Sequence, residues 1–577
     1  LALTPYAALH VDSSLDGFLI KPAREIVDLY WTNCRCLFFI GALGAAVRLI
    51  GPFLKSKDTD PAVLVLDGKL ETIVPLVGGH LGGADQIANE LSAEFNGIAV
   101  FTSDTKTQER IPIDSFGFYW GWDRSGNSKD WNQLMINQSC GQSIALNQFS
   151  GTTLWKDSEL FTKNFIQKNN KTSEKISDLN VGFKLGKGCW WHTHNLWIGI
   201  GCERETSENL ISRAINESFE KTGLAKKSIA GVSSIDLKRN EPGIISLIDK
   251  NSWHPRFYDS ETLSRISVPN PSKVVAQEIG SPSVAEASAL LAAGEGAELL
   301  LEKNIFRANS DERGAVTIAI AKSVNSFAPQ RGELHLIGSG PGDISFLTND
   351  ARMALSRCVI WIGYGLYLDL LEPLRRKDQV RIDSSINFEH DRCQKALQLA
   401  QQGIHVALIS SGESGIYGMA GLALELWLEQ KNNERPCFEV HPGISAFQVA
   451  AAKNGAPLMS DFCSISLSDL LTPWSQIEAR LKSAAEGDFV LAIYNPRSKE
   501  RNWQLKRAIE ILLEHRLPNT PVSISRQLCR TGEKNDLYRL DCVPLEKVDM
   551  LSVLIVGNSK SFLKDDHFVT PRGYSFC

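Results

Sequence analysis

Short apolar runs recur along this chain, set apart by stretches of helical or glycine-rich character. In residues 1 to about 104 the runs CLFFIGALG, AVLVLDG and GIAVFTSDT read as buried strands of an α/β unit. From about 105 to 190 the pattern lapses. Asn, Ser, Lys and Trp dominate with little sustained periodicity, which predicts a less regular module and a linker, KNNKTSEKISD. Alternation resumes at LWIGIGC, a buried strand, and Thr206 and Ser207 offer N-caps for the helix that follows. SPSVAEASALLAAG predicts another helix, with Ser283 and Glu286 at capping-box spacing, and AVTIAIAKSV closes the unit as a strand. From about Gly332 the strands ELHLIG, CVIWIG, HVALISSG, DFVLAIYN and LSVLIVGN alternate with helices such as SKERNWQLKRAIEILLEH, the pattern of a mostly parallel, helix-covered sheet.

A length of 577 residues exceeds one hydrophobic core and implies about three or four domains. The formal net charge of -5 speaks against a general nucleic-acid binder, while leaving room for local basic pockets. The run CLFFIGALGAAVRLIGPFL is broken by Arg48 and glycines, so a strand followed by a helix is expected rather than a membrane span. The opening LALTPYAALHV has neither a basic n-region nor a small-residue cleavage site. The twelve cysteines form no C-x-x-C pair, which fits reduced thiols and a cytoplasmic setting.

The stretch HLIGSGPGDISFLT invites a dinucleotide-binding reading, but Gly338, Gly340 and Gly342 are spaced G-x-G-x-G, and Pro341 removes a backbone donor from the turn. Four loops, each after an apolar strand, are the informative feature: GSGPGD at 338–343, SSGESGIYGMA at 410–420, HPGISAFQ at 441–448 and YNPRSKER at 494–501. In open α/β sheets, loops leaving the carboxyl ends of strands form the ligand site.

Those words, with GYGLYLDLL, GAPLMSDFCSISLSDLLTPW and TPRGY, resemble the tetrapyrrole (class III) methyltransferases, and most closely the precorrin-3B C(17)-methyltransferases of cobalamin biosynthesis. The resemblance implies a two-subdomain α/β fold over 332–573, a homodimer, and S-adenosylmethionine as methyl donor. It places the donor against Pro341, Gly412, Glu413, Ser414, Ile416, Tyr417, Ser445, Ala446, Tyr494 and Asn495. The family usually has Gly-Asp-Pro where this chain has Gly412-Glu413-Ser414, a departure that predicts a looser contact. A macrocycle fringed with carboxylates calls for guanidinium partners, for which Arg497, Arg526 and Arg530 are candidates together with Lys499 and Arg501. Ring contraction requires proton transfers, and Asp461, ahead of Ser468 and Asp469 in the branch-specific stretch, is the candidate acid or base. Helix capping is the competing role for Ser468 and Asp469.

In the N-terminal half, VGGHLGGADQIANEL reads as a glycine-rich turn and a helix starting near Ala84, whose backbone donors suit an anion beside His80. A tight turn with a partly exposed His is the plainer reading of the same residues. These segments, with GIGCERETS, SSIDLKRNEPGI and GSPSVAEASALL, resemble the cobalt-precorrin-5A hydrolases, which open a ring-A lactone and release acetaldehyde. The resemblance implies separate α/β modules, drawn at 1–75, at 76–190 with the linker, and at 191–325. Lactone opening needs an activated water, an oxyanion partner and a base; Arg48 is a candidate for substrate contact, and His80, Asp236, Lys238 and Glu241 for catalysis, with Lys57 and Asp60 also in reach of the idea. Alternation of Ile235 and Leu237 with Asp236 and Lys238 predicts a strand end aiming its charges one way. His192 and His194 in WWHTH lack further ligands, so no protein-bound metal is expected, and cobalt enters only as part of the substrate. The chain thus reads as a fusion of two enzymes acting on tetrapyrroles, without nucleic-acid or membrane partners; the alternative is an active C-terminal half with a non-catalytic N-terminal binding module.

Overall fold

The computed structural model describes residues 22–56, 59–79, 82–101, 110–142, 144–161, 165–167, 178–498 and 500–574. His80, Lys57 and Lys499 lie outside the described residues. The chain folds into α/β units around separate sheets. In the first, strands Cys36–Ile40, Ala62–Leu66, Thr72–Val77 and Ile98–Ala99 lie side by side in that order. Cys36–Ile40 is followed by helix Leu43–Ile50, as the interrupted apolar run predicts, and among the described residues no helix is long and apolar enough to cross a membrane.

The Trp-rich segment is more regular than its sequence suggests. It forms a five-stranded sheet in the order Asp123–Ser125, Cys189–His192, Asp178–Val181, Ile144–Gln148, Phe165–Gln167. Strands this short complete too few alternations to register as a period, and the core is filled instead by Trp122, Trp131, Trp155 and Trp191. That core is continuous with the first C-terminal sheet, through Leu334, Leu336, Ile360 and Leu408. Gly121, at φ +71°, marks the closest approach: a Cβ there would stand 2.2 Å from the Gln402 carbonyl oxygen.

The next sheet runs His254–Tyr258, Ile229–Ile235, Leu196–Cys202, Ala315–Lys322, Glu298–Arg307. Helix Val284–Ala293 lies directly on it, and a Cβ at Gly199 would meet the Ala285 carbonyl oxygen at 1.8 Å, which is why a Gly-rich strand faces an Ala-rich helix. Ser207 caps helix Glu208–Thr222 by accepting from the Leu210 N–H. Ser283 is the N-cap of Val284–Ala293, but the expected capping box does not form. The Glu286 carboxylate, fully buried, is satisfied instead by the backbone N–H groups of Asn270 and Lys303.

The C-terminal region holds two main sheets rather than one. The first is wholly parallel, in the order Val380–Ser384, Ile360–Tyr364, Val406–Ser410, Glu333–Gly338, Cys437–His441. The second, Phe462–Ser466, Val490–Tyr494, Ser552–Val556, Pro521–Arg526, Lys534–Arg539, is mixed, with one parallel pair. The two halves of the chain meet where helix Ala84–Glu94 packs along helix Asn349–Arg357, and where Arg256 reaches Glu434 at 3.0 Å.

Candidate functional site

Three loops of the first C-terminal sheet converge at its carboxyl edge, and glycine makes the convergence possible. Gly340 and Gly412 exchange backbone hydrogen bonds of 3.2 and 2.8 Å, and a Cβ at Gly443 would sit 2.0 Å from the Gly412 carbonyl oxygen. Against this floor the second sheet presents Tyr494 and Asn495. Together they line a cleft of about 180 Å³, open to solvent.

Pro341, Gly412, Glu413, Ile416, Tyr417, Ser445, Ala446, Tyr494 and Asn495 all line the cleft. Ser414 is fully buried behind it. The substitution in Gly412-Glu413-Ser414 has a visible use: the Glu413 carboxylate accepts from the Gly443 N–H at 2.6 Å and from the Gly415 N–H at 3.1 Å, tying two loops together. Tyr494 accepts from the Phe447 N–H at 3.1 Å, and burial pushes its phenol pKa up, so it stays neutral. Tyr417, Asn495 and Gln527 take positive φ (54°, 49° and 50°), conformations that cost an L residue energy and gather at sites where the chain is held for a purpose.

Arg530 is the cation of this cleft. Its Nε donates to the Pro341 carbonyl at 3.0 Å, its guanidinium lies 5.9 Å from the Tyr367 ring centroid, and a buried Nη1 has no protein partner. Burial lowers its pKa. The structure does not bring the other basic candidates to the lining: Arg497 donates to the Leu545 carbonyl, and Arg526 stands 3.9 Å from Asp549. Arg501 binds the Asn495 carbonyl and the Ser468 hydroxyl. Asp461 is exposed and pairs through its backbone with Val490, at the amino end of strands whose carboxyl ends form the cleft. A strand of five residues separates it from the lining, about 16 Å at the usual rise. Ser468 and Asp469 do not cap a helix either, since the next one starts at Trp474 behind Pro473. Sequence reasoning missed Tyr367, Ser411, Gln527, Leu528 and the stretch 550–553. GYGLYLDLL pointed toward Tyr367, whereas LSVLIVGN showed only a strand.

In the N-terminal half, the helix start at Ala84 is occupied: the N–H groups of Ala84 and Asp85 donate to the Gly78 and Gly79 carbonyls, so they are not free for an anion. The Asp60 carboxylate accepts from the N–H groups of Lys55 and Ser56, closing a turn. Arg48 is exposed on helix Leu43–Ile50. The predicted strand end is instead a 3-10 turn over Asp236–Lys238, because the strand stops at Ile235; Leu237 is 75% exposed and Asp236 is exposed beside it. That turn brings Lys238 and Glu241 together at 3.0 Å, their side chains only 13% and 7% exposed. One Glu241 oxygen is buried without a partner. His192 bonds the Ser125 hydroxyl and the Gly182 carbonyl, and burial pulls its pKa down to about 4; His194 bonds the Ile229 carbonyl and is lowered by burial in the same way. Both are satisfied interior histidines.

Comparison with known proteins decides the family. Residues 333–539 match the tetrapyrrole (corrin/porphyrin) methylases. The chain is 46% identical over 242 residues to a probable cobalt-factor III C(17)-methyltransferase of Salmonella typhimurium, covering 42% of this chain and 99% of that relative. The C-terminal region belongs to the tetrapyrrole methylases. A cobalt-factor III methyltransferase of Priestia megaterium is 43% identical over 246 residues, 42% of this chain and 45% of that relative, so the chain spans about half the length of that longer protein. A solved structure described as the methyltransferase CobJ is 33% identical and covers 42% of this chain and all of that one, with a TM-score of 0.40. Ahead of the methylase region, residues 25–106 and 196–321 match the N-terminal and C-terminal parts of cobalamin synthesis G. The Trp-rich sheet lies between those two matches.

Proposed function

We propose that the protein carries two activities of cobalamin biosynthesis on one chain. The methylase region transfers a methyl group to C(17) of a (cobalt-)precorrin-3 type ring and contracts it, and the preceding region opens the lactone of cobalt-precorrin-5A with release of acetaldehyde. The observation that carries the first reading is the cleft, where the donor residues implied by the resemblance meet a buried guanidinium with a free nitrogen.

S-Adenosylmethionine, when bound, supplies an electrophilic methyl on a sulfonium. The cleft fits such a group: Gly412 presents bare backbone at its floor, and Ile416, Tyr417 and Ala446 give it apolar walls. Holding donor and acceptor in one orientation supplies much of the rate in such transfers. Glu413 and Gly443 fix the floor, while Arg530, the guanidinium lining the cleft beside Tyr367, is the group we assign to a substrate carboxylate. Among the lining residues Glu413 is the sole carboxylate, and both its oxygens serve backbone donors, so its part is positioning.

In the hydrolase region Glu241 is the group we assign as base, from its buried unpartnered oxygen, with Lys238 as the cation facing the oxyanion. Cobalt belongs to the substrate, the cytoplasm is the compartment, and the methylase region is the surface through which a homodimer forms. Incubation of the full chain with S-adenosylmethionine and a cobalt-factor III type ring should yield a methylated, ring-contracted product by mass spectrometry, and cobalt-precorrin-5A should release acetaldehyde. Methyl transfer without acetaldehyde, from folded protein, would assign the N-terminal half a binding role instead.

A further inference from the structure

On the first methylase sheet, strands Glu333–Gly338 and Cys437–His441 run parallel with His335 directly across from Glu439 and Ile337 across from His441. Period-2 alternation therefore puts His335, Glu439 and His441 on one face. His335 Nδ1 and His441 Nε2 approach to 2.9 Å, and a Glu439 oxygen lies 3.6 Å from the first and 3.8 Å from the second.

The far nitrogen of each ring is already committed. His335 Nε2 meets the Glu333 carboxylate at 2.8 Å, and His441 Nδ1 meets Asp350 at 2.6 Å. An ionised carboxylate only accepts, so each of those nitrogens carries its hydrogen. With both outer hydrogens in place, the contact between the inner nitrogens is closed either by one shared proton or by a metal ion that displaces it. A carboxylate holding the outer N–H of a ligating imidazole is also how metal-binding histidines are fixed in tautomer and orientation.

The spacing selects the kind of cation. A point equidistant from His335 Nδ1, His441 Nε2 and the Glu439 oxygen lies about 2.0 Å from each, the bond length of a first-row divalent metal to imidazole and carboxylate. Both imidazoles are 1% exposed, whereas Glu439 is 53% exposed, which leaves a solvent side for the ion to arrive and for a water as fourth ligand. Glu333, Asp350 and Glu439 supply negative charge around this point, and Arg357 and His405 face Glu333 from the other side at 3.9 and 3.6 Å. We propose that His335, His441 and Glu439 form a resident divalent-metal site of the Zn²⁺ or Co²⁺ class, separate from any metal in the substrate. The two histidines stand 106 residues apart, so no local ligand spacing marks the site. His441 leads directly into Pro442 and Gly443, so the ion pins the strand end that carries the cleft floor.

The test uses the full chain, stripped by a chelator and titrated with Co²⁺ alone. One equivalent should bind with a visible ligand-field spectrum of an N/O site, and Zn²⁺ should displace it. The exposed His390→Gln variant should behave like the parent, and the double variant His335→Gln, His441→Gln should lose the spectrum. Since that double variant alters buried groups, Glu439→Gln provides the second reading: metal-free unfolding temperature unchanged, Co²⁺ affinity lower by roughly 10-fold or more. Absence of saturable uptake by the parent, a spectrum retained in the double variant, or undiminished affinity in Glu439→Gln would each overturn the site.

Discussion

The Glu413 carboxylate accepts a 2.6 Å hydrogen bond from the Gly443 backbone N–H, joining the loop after Val406–Ser410 to the loop after Cys437–His441. Hydrogen bonds to charged groups contribute about 1.5–3 kcal/mol. Glu413→Ala should therefore weaken binding of S-adenosylhomocysteine by roughly 10-fold or more, with Glu413→Asp intermediate because its shorter arm falls short of Gly443. Calorimetric titration checks this. Equal affinity in Glu413→Ala would show that the cleft floor holds without the tie.

Arg530 should separate substrate binding from donor binding. At a residue that lines the cleft, Arg530→Lys keeps a charge but loses the planar fork. The expected result is a tetrapyrrole KM raised by about 10-fold or more, with donor affinity changed less. Steady-state kinetics in each substrate reads the split. A KM unaltered in Arg530→Lys would remove Arg530 from substrate recognition.

The buried pair Lys238 and Glu241 should matter where the exposed Asp236 does not. Glu241→Gln, nearly isosteric, should reduce acetaldehyde release by about 10²-fold or more, the scale of a lost general base. Asp236→Ala should leave release near the parent rate. The opposite order would move the chemistry from the pair to the turn. Removing Lys238 also strands a buried carboxylate, so Lys238→Met should cost about 3–5 kcal/mol in stability, readable by urea unfolding.

Acid should loosen the contact between the two halves. Burial pushes the Glu434 carboxyl up, but His254 and Arg256 outweigh it and hold it at about 2. A carboxylate lowered on folding adds stability above its unfolded pKa, near 4.5, and that contribution fades as pH falls toward 2. His254, lowered mainly by burial, acts in the same direction, since the unfolded chain takes up its proton first as pH drops below about 6.5. Glu434→Gln should flatten the part of the loss below pH 4.5, seen as melting temperatures that converge with the parent in acid. A parallel offset at every pH would indicate packing rather than titration.

Gly121→Ala should destabilise the protein by about 2 kcal/mol or more, since the residue is at φ +71° and its Cβ would press on the Gln402 carbonyl. Thermal unfolding measures it, and an unchanged melting temperature would mean that the Trp-rich sheet shifts freely on the methylase.

Apolar runs long enough to show a period specified the order of strands and helices, and the loops after the parallel strands marked one wall of the cleft, because such loops converge at one sheet edge whatever lies between them in the chain. Gly412 was legible for that reason, whereas Tyr494, carried by the second sheet, was legible through the family resemblance. Tertiary structure alone decided what depends on contacts between distant residues. The Trp-rich sheet stands on large side chains in strands too short to alternate, and Lys238 and Glu241 meet only because the strand stops at Ile235 and turns. Asp461 went to the far end of its strand, since motif membership fixes a neighbourhood in sequence and not an end of a sheet. His335 and His441 face each other through a strand register that no local pattern encodes.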